Sequence, residues 1–365
     1  MKILHFTGST AIGGVASIVY ELAKYCTSKG HVVDQLSMCN EPFLIDSSGK
    51  YEAIGVRTFT SSTSNRYSIK QLKNLMQLMT EYDIVHVHQF PEQLYGALSV
   101  MLSYGWKKTK IITTEHNTWN NRRKYNLLKY YDRWMYGNYD KIVCISQPTY
   151  DAIIKWLGCK RIESKITTIT NGIDIGKYGD AENGLENFIE THKDIKYVVM
   201  VGRLEHPKDP ITLINAIARM PDNIHAIFCG EGYLRSKIEE TIRYLNIVHR
   251  VHLLGNVQNP APILKGCDVG VLSSYWDGFG LVAAEYMAAG IPAVGTNVDG
   301  LKDVIGDKEL LFNPGDIDGL VAILQKLLYN NNYRYSKIED ANKRVMNFTS
   351  TEMASKYLAL YESIL

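Results

Sequence analysis

One rhythm limits what this chain can fold into. Short runs rich in β-branched residues alternate with stretches of helical period, and the alternation restarts midway. Strands are predicted at 2–7, 31–37, 54–60, 83–88, 110–114, 141–145 and 166–170, with helices among them at 14–28, 69–81 and 148–157. The second series places strands near 196–201, 224–229, 250–254, 268–272 and 291–295, and helices at 209–219, 233–245, 281–289 and 318–329. A strand that returns through a helix pairs in parallel with its predecessor, and a parallel sheet needs cover on both faces. The pattern predicts an α/β fold of two doubly wound domains, with a ligand in the cleft at the carboxyl ends of the strands. The polar, glycine-containing stretch 175–194 reads as a linker between domains 1–174 and 195–349. The last segment, 350–365, reads as an N-capped amphipathic helix expected to pack back towards the first domain.

Composition mainly excludes. The net charge of +2 hides an asymmetry: residues 1–174 carry 21 Lys+Arg against 14 Asp+Glu, and the remainder 19 against 24. A basic first half and an acidic second half suit two domains with different partners. The small total and the lack of a binding motif argue against nucleic acid. No run of about 18 apolar residues is present, so no membrane span is expected. The apolar start Met1–Leu4 gives way to His5 and a polar stretch, too short for a secretory signal. The six cysteines (Cys26, Cys39, Cys144, Cys159, Cys229 and Cys267) form no CxxC pair, which suits free thiols in a reducing, cytoplasmic setting.

Three post-strand loops carry the candidate chemistry. The first strand-to-helix turn holds Gly13 and Gly14, where exposed N–H groups at a helix start favour an anion; it is neither GxGxxG nor a P-loop. Next, Gly202-Arg203-Leu204-Glu205-His206-Pro207-Lys208 follows the strand YVVMV. Arg203 can grip two oxygens and Lys208 adds a point charge, which suits a diphosphate; the competing reading is a solvated loop paired with Glu205 and Asp209. Third, Asp277-Gly-Phe-Gly-Leu-Val-Ala-Ala-Glu285 opens a helix. The N–H groups of Gly280, Leu281 and Val282 would face phosphate oxygens, while two carboxylates suit neutral sugar hydroxyls, since a phosphate between them would be repelled. Competing readings are a helix-start charge for Asp277 and an exposed helix residue for Glu285.

Across these loops and the segments between them, the chain resembles a glycosyltransferase of family 4. The resemblance is carried in order by GGVA, DIVHVH at 83–88, TTEHN at 113–117, ITNGID at 169–174, GRLEHPKDP, FCGEG at 228–232, LLGNV at 253–257 and DGFGLVAAEYMAAGIPAVGT. It implies the GT-B architecture of two Rossmann-like domains facing an active-site cleft. The family pattern is E-x7-E with the GRL…K loop upstream; here Asp277 stands in place of the first Glu. The resemblance implies a role for each matching position. Gly13 and Gly14 would face donor phosphate and acceptor. Arg203 and Lys208 would hold the diphosphate and stabilise the leaving group. Glu285 would bind ribose hydroxyls. Asp277 would meet hydroxyls of the transferred sugar, with Phe279, Gly280, Leu281 and Val282 near sugar and phosphate. Glu231 with its flanking glycines, and Gly255-Asn256-Val257, would frame the nucleoside, and His116 would contact the sugar near the reacting carbon. The resemblance also implies retention of configuration, no metal and no other cofactor, and by default a UDP-sugar donor. The implied acceptor is a glycan or lipid-linked saccharide at the inner membrane face.

Other residues are weighed against blander roles. His116 follows the strand KIITTE, where a structural histidine is as common as a contact; His86 and His88 read as structural, and Asn171–Asp174 as a turn. Residues 119–135 read as one basic, aromatic helix, with Leu127, Leu128, Tyr131, Trp134 and Met135 on one side. Arg122, Arg123 and Lys124 could then meet an anionic membrane surface or acceptor, or simply solvent. Two further functions remain open at this level: a sugar-nucleotide epimerase of the same fold, and a sugar-nucleotide-binding subunit that does not catalyse.

Overall fold

A computed structural model describes residues 1–9, 13–38, 48–61, 63, 65–103 and 108–365. Cys39 and the middle of the first glycine loop, 10–12, lie outside the described residues. The chain divides into two compact units, Met1–Gly172 with Ser350–Leu365, and Ile173–Thr349.

The first unit is built on seven strands: β1 (Lys2–Thr7), β2 (Val32–Ser37), β3 (Arg57–Thr60), β4 (Ile84–His88), β5 (Lys110–Glu115), β6 (Lys141–Cys144) and β7 (Ile166–Thr168). All pair in parallel, in the order β3-β2-β1-β4-β5-β6-β7. The order reverses between β1 and β4, where a doubly wound sheet opens a crevice at its carboxyl edge. Side chains alternate across each strand. Leu4, Phe6, Val85 and Val87 join one core with Leu72, Leu75, Met79, Tyr136 and Ile153. His5, His86 and His88 fall on the opposite face, which the C-terminal helix Ser350–Ile364 reaches through Tyr357 and Tyr361. That helix also lies against the helix Gly14–Ser28.

The second unit has six strands: β8 (Lys196–Val201), β9 (Ile224–Cys229), β10 (Val251–Gly255), β11 (Val269–Leu272), β12 (Ala293–Thr296) and β13 (Leu311–Phe312). They too are parallel, ordered β10-β9-β8-β11-β12-β13, with the reversal between β8 and β11. Gly270 on β11 leaves room for the Tyr286 ring, which a Cβ there would strike. The Tyr286 hydroxyl in turn accepts from Val201 N–H at 2.8 Å, fastening the helix Leu281–Ala288 to the end of β8.

Two expectations are corrected. The stretch 175–194 is not a free linker but part of the second unit. Leu185 is 2% exposed, Gly184 N–H donates to Pro262, and Leu185 packs so closely on Gly266 that a Cβ there would collide with it. Residues 119–135 do not form one helix. A 3-10 turn, Asn121–Lys124, capped by Asn120, precedes the helix Leu128–Gly137. The break lets Arg122 turn inwards to Asp132.

Candidate active site

Three loops meet at the reversal point of the second sheet. The loop after β8 is tied to its neighbour after β9 by backbone bonds, Leu204 N–H to Glu231 O and Leu234 N–H to Leu204 O. Gly230 makes that approach possible, since a Cβ there would land inside the carbonyl oxygen of Gly202. On the other side the loop after β11 closes on it. Tyr275 N–H donates to Pro207 O, Ser273 Oγ–H donates to Asp209 O at 2.6 Å, and the Tyr275 ring stacks on His206.

Lys208 and Asp277 lie across this reversal point, Nζ to Oδ2 at 2.6 Å. The second oxygen of Asp277 accepts the N–H groups of Phe279, at 3.2 Å, and Gly280, at 2.9 Å. Gly280 occupies the left-handed region, φ 86°, at the start of the helix Leu281–Ala288. Burial alone would raise the Asp277 carboxyl. The Lys208 charge and these hydrogen bonds outweigh it and hold the group below the usual carboxylate range. The Gly280 N–H expected to face a phosphate is thus occupied by Asp277. The carboxylate fills the anion position that a helix start offers.

The other expected donor residues lie on the loops after β8, β9, β10 and β11 and on the helix Leu281–Ala288. Arg203 is 72% exposed at its side chain and pairs with Glu205 at 2.9 Å; Asp209 instead takes the Thr212 hydroxyl. Glu285 is half-buried one turn into the helix. Burial raises its carboxyl, against the opposing pull of a Tyr178 hydrogen bond and the Lys177 charge. Glu231 pairs with Arg235, and Gly255 comes near enough to Glu231 that a Cβ would sit 3.0 Å from its Oε1. Asn256 is exposed, Val257 and Leu281 are half-buried, and Phe279 is buried against Phe348.

The first sheet carries a different cluster at its own reversal point. Gly13 and Gly14 are exposed at the start of the helix Gly14–Ser28. His116, just past β5, is 8% exposed and its Nε2 lies 3.2 Å from His88 Nδ1. His88 Nε2 lies 3.2 Å from His5 Nδ1. His86 is held by the Tyr361 and Thr114 hydroxyls, each at 2.7 Å. Burial lowers all four imidazoles, His5 and His116 to about 3 and His86 and His88 well below the usual range. Nitrogens of His5, His86 and His88 lie within 4.8 Å of one another, but both of His86's already have hydroxyl partners. His86 and His88, which the sequence reads as structural, are buried as expected of that role, and His5 and His88 continue to His116. The signal was the alternation in DIVHVH, which puts both histidines on one strand face.

The basic segment is mostly tied down. Arg122 pairs with Asp132 at 2.8 Å and covers the Phe90 ring, while Trp156 donates to the other Asp132 oxygen. Arg123 donates to Thr118 O, and Lys124 is exposed over Trp119. Leu127, expected on one side with Met135, is 81% exposed, whereas Met135 is fully buried. Among the described residues no helix is long and apolar enough to cross a membrane, and the five described cysteines are free.

Residues 12–177 match the family described as Glycosyltransferase Family 4, and residues 185–344 that described as Glycosyl transferases group 1. The chain is 25% identical over 323 residues, 80% of each chain, to UDP-Gal:alpha-D-GlcNAc-diphosphoundecaprenol alpha-1,3-galactosyltransferase of Escherichia coli. It is 25% identical over 377 residues to N-acetyl-alpha-D-glucosaminyl L-malate synthase of Bacillus anthracis, covering 97% of this chain and 95% of that one. Among solved structures, Anabaena HepE in complex with UDP and glucose shares the fold with a TM-score of 0.84 at 19% identity, over 100% of both chains. The two family matches follow one another along the two units described above, and the chain belongs to the family 4 glycosyltransferases with their GT-B fold.

Proposed function

We propose that the chain moves a sugar from a UDP-sugar to a glycan or lipid-linked acceptor in surface polysaccharide or glycoconjugate synthesis, with retention of configuration and without a metal. The observation that carries the donor half is the meeting of Lys208 and Asp277 at the start of the helix Leu281–Ala288, with Arg203 on the same loop as Lys208. Arg203 and Lys208 suit a diphosphate, for which Lys208 exchanges its pairing with Asp277. Glu285, a half-buried carboxyl, suits the ribose hydroxyls, and the loops at Glu231 and Gly255–Val257 suit the nucleoside. The names of two relatives support the donor and acceptor classes: a UDP-galactose donor and a diphosphoundecaprenol acceptor in one, UDP and glucose bound in the other.

In this reading Arg203 and Lys208 neutralise charge as the bond to the sugar breaks, and His116 holds the transferred sugar. A donor phosphate oxygen takes the acceptor proton as attack occurs on the same face. Lys124 with exposed Leu127, Tyr130 and Trp134 suits peripheral contact with an anionic inner membrane surface, in keeping with a cytoplasmic enzyme.

The test is a thermal-shift panel of UDP-, GDP- and ADP-glucose, because selective binding stabilises the folded state. A shift with the UDP-sugar alone is expected. A shift with another base alone would reassign the donor, and no shift with any of the three, nor with the corresponding galactose and N-acetylglucosamine nucleotides, would sink the nucleotide-sugar reading. Turnover of the nucleotide sugar to its epimer with no acceptor present would replace transfer by epimerisation.

A further inference from the structure

The histidines at the reversal point of the first sheet form a run, His5–His88–His116, with two nitrogen–nitrogen contacts of 3.2 Å. The three come from β1, β4 and the end of β5. The parallel register sets His5 opposite His86, and His88 opposite Thr114, two residues before His116. His5 and His88 are fully buried, and His116 keeps only 8% of its surface.

A neutral imidazole has one N–H and one bare nitrogen. A run of three can therefore be polarised in two ways. In the first, His5 Nδ1–H donates to His88 Nε2, His88 Nδ1–H donates to His116 Nε2, and His116 carries its proton on Nδ1. In the second every proton moves: His116 Nε2–H donates to His88, His88 Nε2–H donates to His5, and His5 is left with its proton on Nε2. His5 Nε2 is buried and has no hydrogen-bond partner among the described residues. The second arrangement strands an N–H donor there; the first leaves a lone pair. Stranded buried N–H groups are the rarer and costlier of the two. The burial that lowers His5 and His116 to about 3 keeps the run uncharged at neutral pH.

We infer that His5 and His88 are positioning residues that fix His116 as the Nδ1–H tautomer, so that it presents a hydrogen-bond donor rather than a base. Nε2 of His116 is spent on His88, so any ligand contact of the ring is through Nδ1, and that nitrogen offers a proton. A donor suits a sugar hydroxyl or phosphate oxygen. It excludes His116 as the group that takes the acceptor proton. The functional consequence rests on His116 meeting the transferred sugar; the tautomer itself does not.

The test uses the full chain labelled with 15N-histidine, with the His116 signals assigned by their loss in His116→Gln. At pH 7 the expected spectrum shows His116 protonated at Nδ1 and bare at Nε2. His88→Asn keeps an N–H donor near the position of His88 Nδ1 and should preserve that pattern; His88→Leu removes it and should release His116 to a mixture of tautomers. A proton on Nε2, a charged ring at pH 7, or an unchanged His116 in His88→Leu would each overturn the inference. Zinc retained by the purified chain and lost in His5→Asn would do the same, since a metal needs the lone pairs the run consumes. If His116→Gln left donor turnover intact while the nitrogen shifts matched expectation, the sugar contact would fall and the tautomer would stand.

Discussion

The two sheets have the same topology at their reversal points and opposite chemistry. In the second unit the crevice is edged by charge kept close to water: Arg203 is exposed, and Lys208 and Asp277 pair at a helix start. In the first unit the corresponding place holds four imidazoles kept dry and neutral. The charged site is organised by backbone, through loops that touch at Gly230 and a helix that begins at Gly280. The neutral site is organised by side chains that reach one another across strands. The first kind binds an anion by existing charge. The second holds hydrogen-bond direction, which a neutral ligand group such as a hydroxyl can read.

Acid should separate the two most strongly. A histidine whose folded value is about 3 and whose unfolded value is about 6.5 binds fewer protons in the native state. Its stabilisation is complete above about pH 6.5 and is lost as pH falls from there towards 3. By pH 5 His5 and His116 should each remove about 2 kcal/mol from the first unit, with His86 and His88 adding to the loss. The second unit has only the less enclosed pair His225, lowered to about 4, and His252. Hydrogen exchange at pH 7 and pH 5 should show protection in β1 and β4 falling further than in β8 and β9. Equal losses in both sheets would break the comparison.

Backbone substitution should act the other way. Gly230→Ala puts a methyl into the carbonyl of Gly202 and should cost the second unit about 3–4 kcal/mol, read from urea unfolding followed by exchange. Gly13→Ala meets nothing within 4 Å and should change stability by less than about 0.5 kcal/mol. Similar effects at both positions would mean that the second site is not backbone-built.

The same contrast decides what the sequence could reveal. Strand positions followed from the βα rhythm, and most fall within a residue or two of those observed, because a buried parallel strand is a short β-branched run. The two-residue β13 and the helices Glu92–Leu102 and Asn331–Val345 lacked a pattern strong enough to be located. The loops of the second unit were legible because close backbone approach demands glycine and anion binding demands cations, and both leave residue types behind. The histidine run was not. Its contacts join residues 83 and 28 positions apart, and strand order and register alone make them neighbours. Nor does spacing show that Asp277 satisfies Lys208 and two N–H groups at once.

Glu285→Ala should weaken UDP binding by roughly 1.5–3 kcal/mol if a charge-assisted hydrogen bond to the ribose is lost. Calorimetry that finds unchanged affinity would remove Glu285 from the donor site. His88→Leu serves as the control from the other unit and should leave UDP affinity alone, since the nucleotide is assigned to the second sheet.

The smallest expected effect is the most informative about the charged pair. Asp277→Asn keeps an oxygen able to accept from Phe279 and Gly280 N–H but removes the negative charge facing Lys208. The pair is partly shielded from water, so its loss should cost about 1 kcal/mol of stability. Lys208 would then meet a diphosphate without a competing carboxylate, and UDP should bind tighter by about 1 kcal/mol, roughly fivefold. Turnover should fall if Asp277 also orients the sugar, as its place in the family pattern implies. Asp277→Glu keeps the charge and lengthens the side chain; it should change donor preference or turnover while leaving UDP affinity within about twofold. Weaker UDP binding in Asp277→Asn would mean that the carboxylate holds Lys208 in place for the phosphate rather than competing with it. The charged reversal point would then be a positioned site, as the histidine site is.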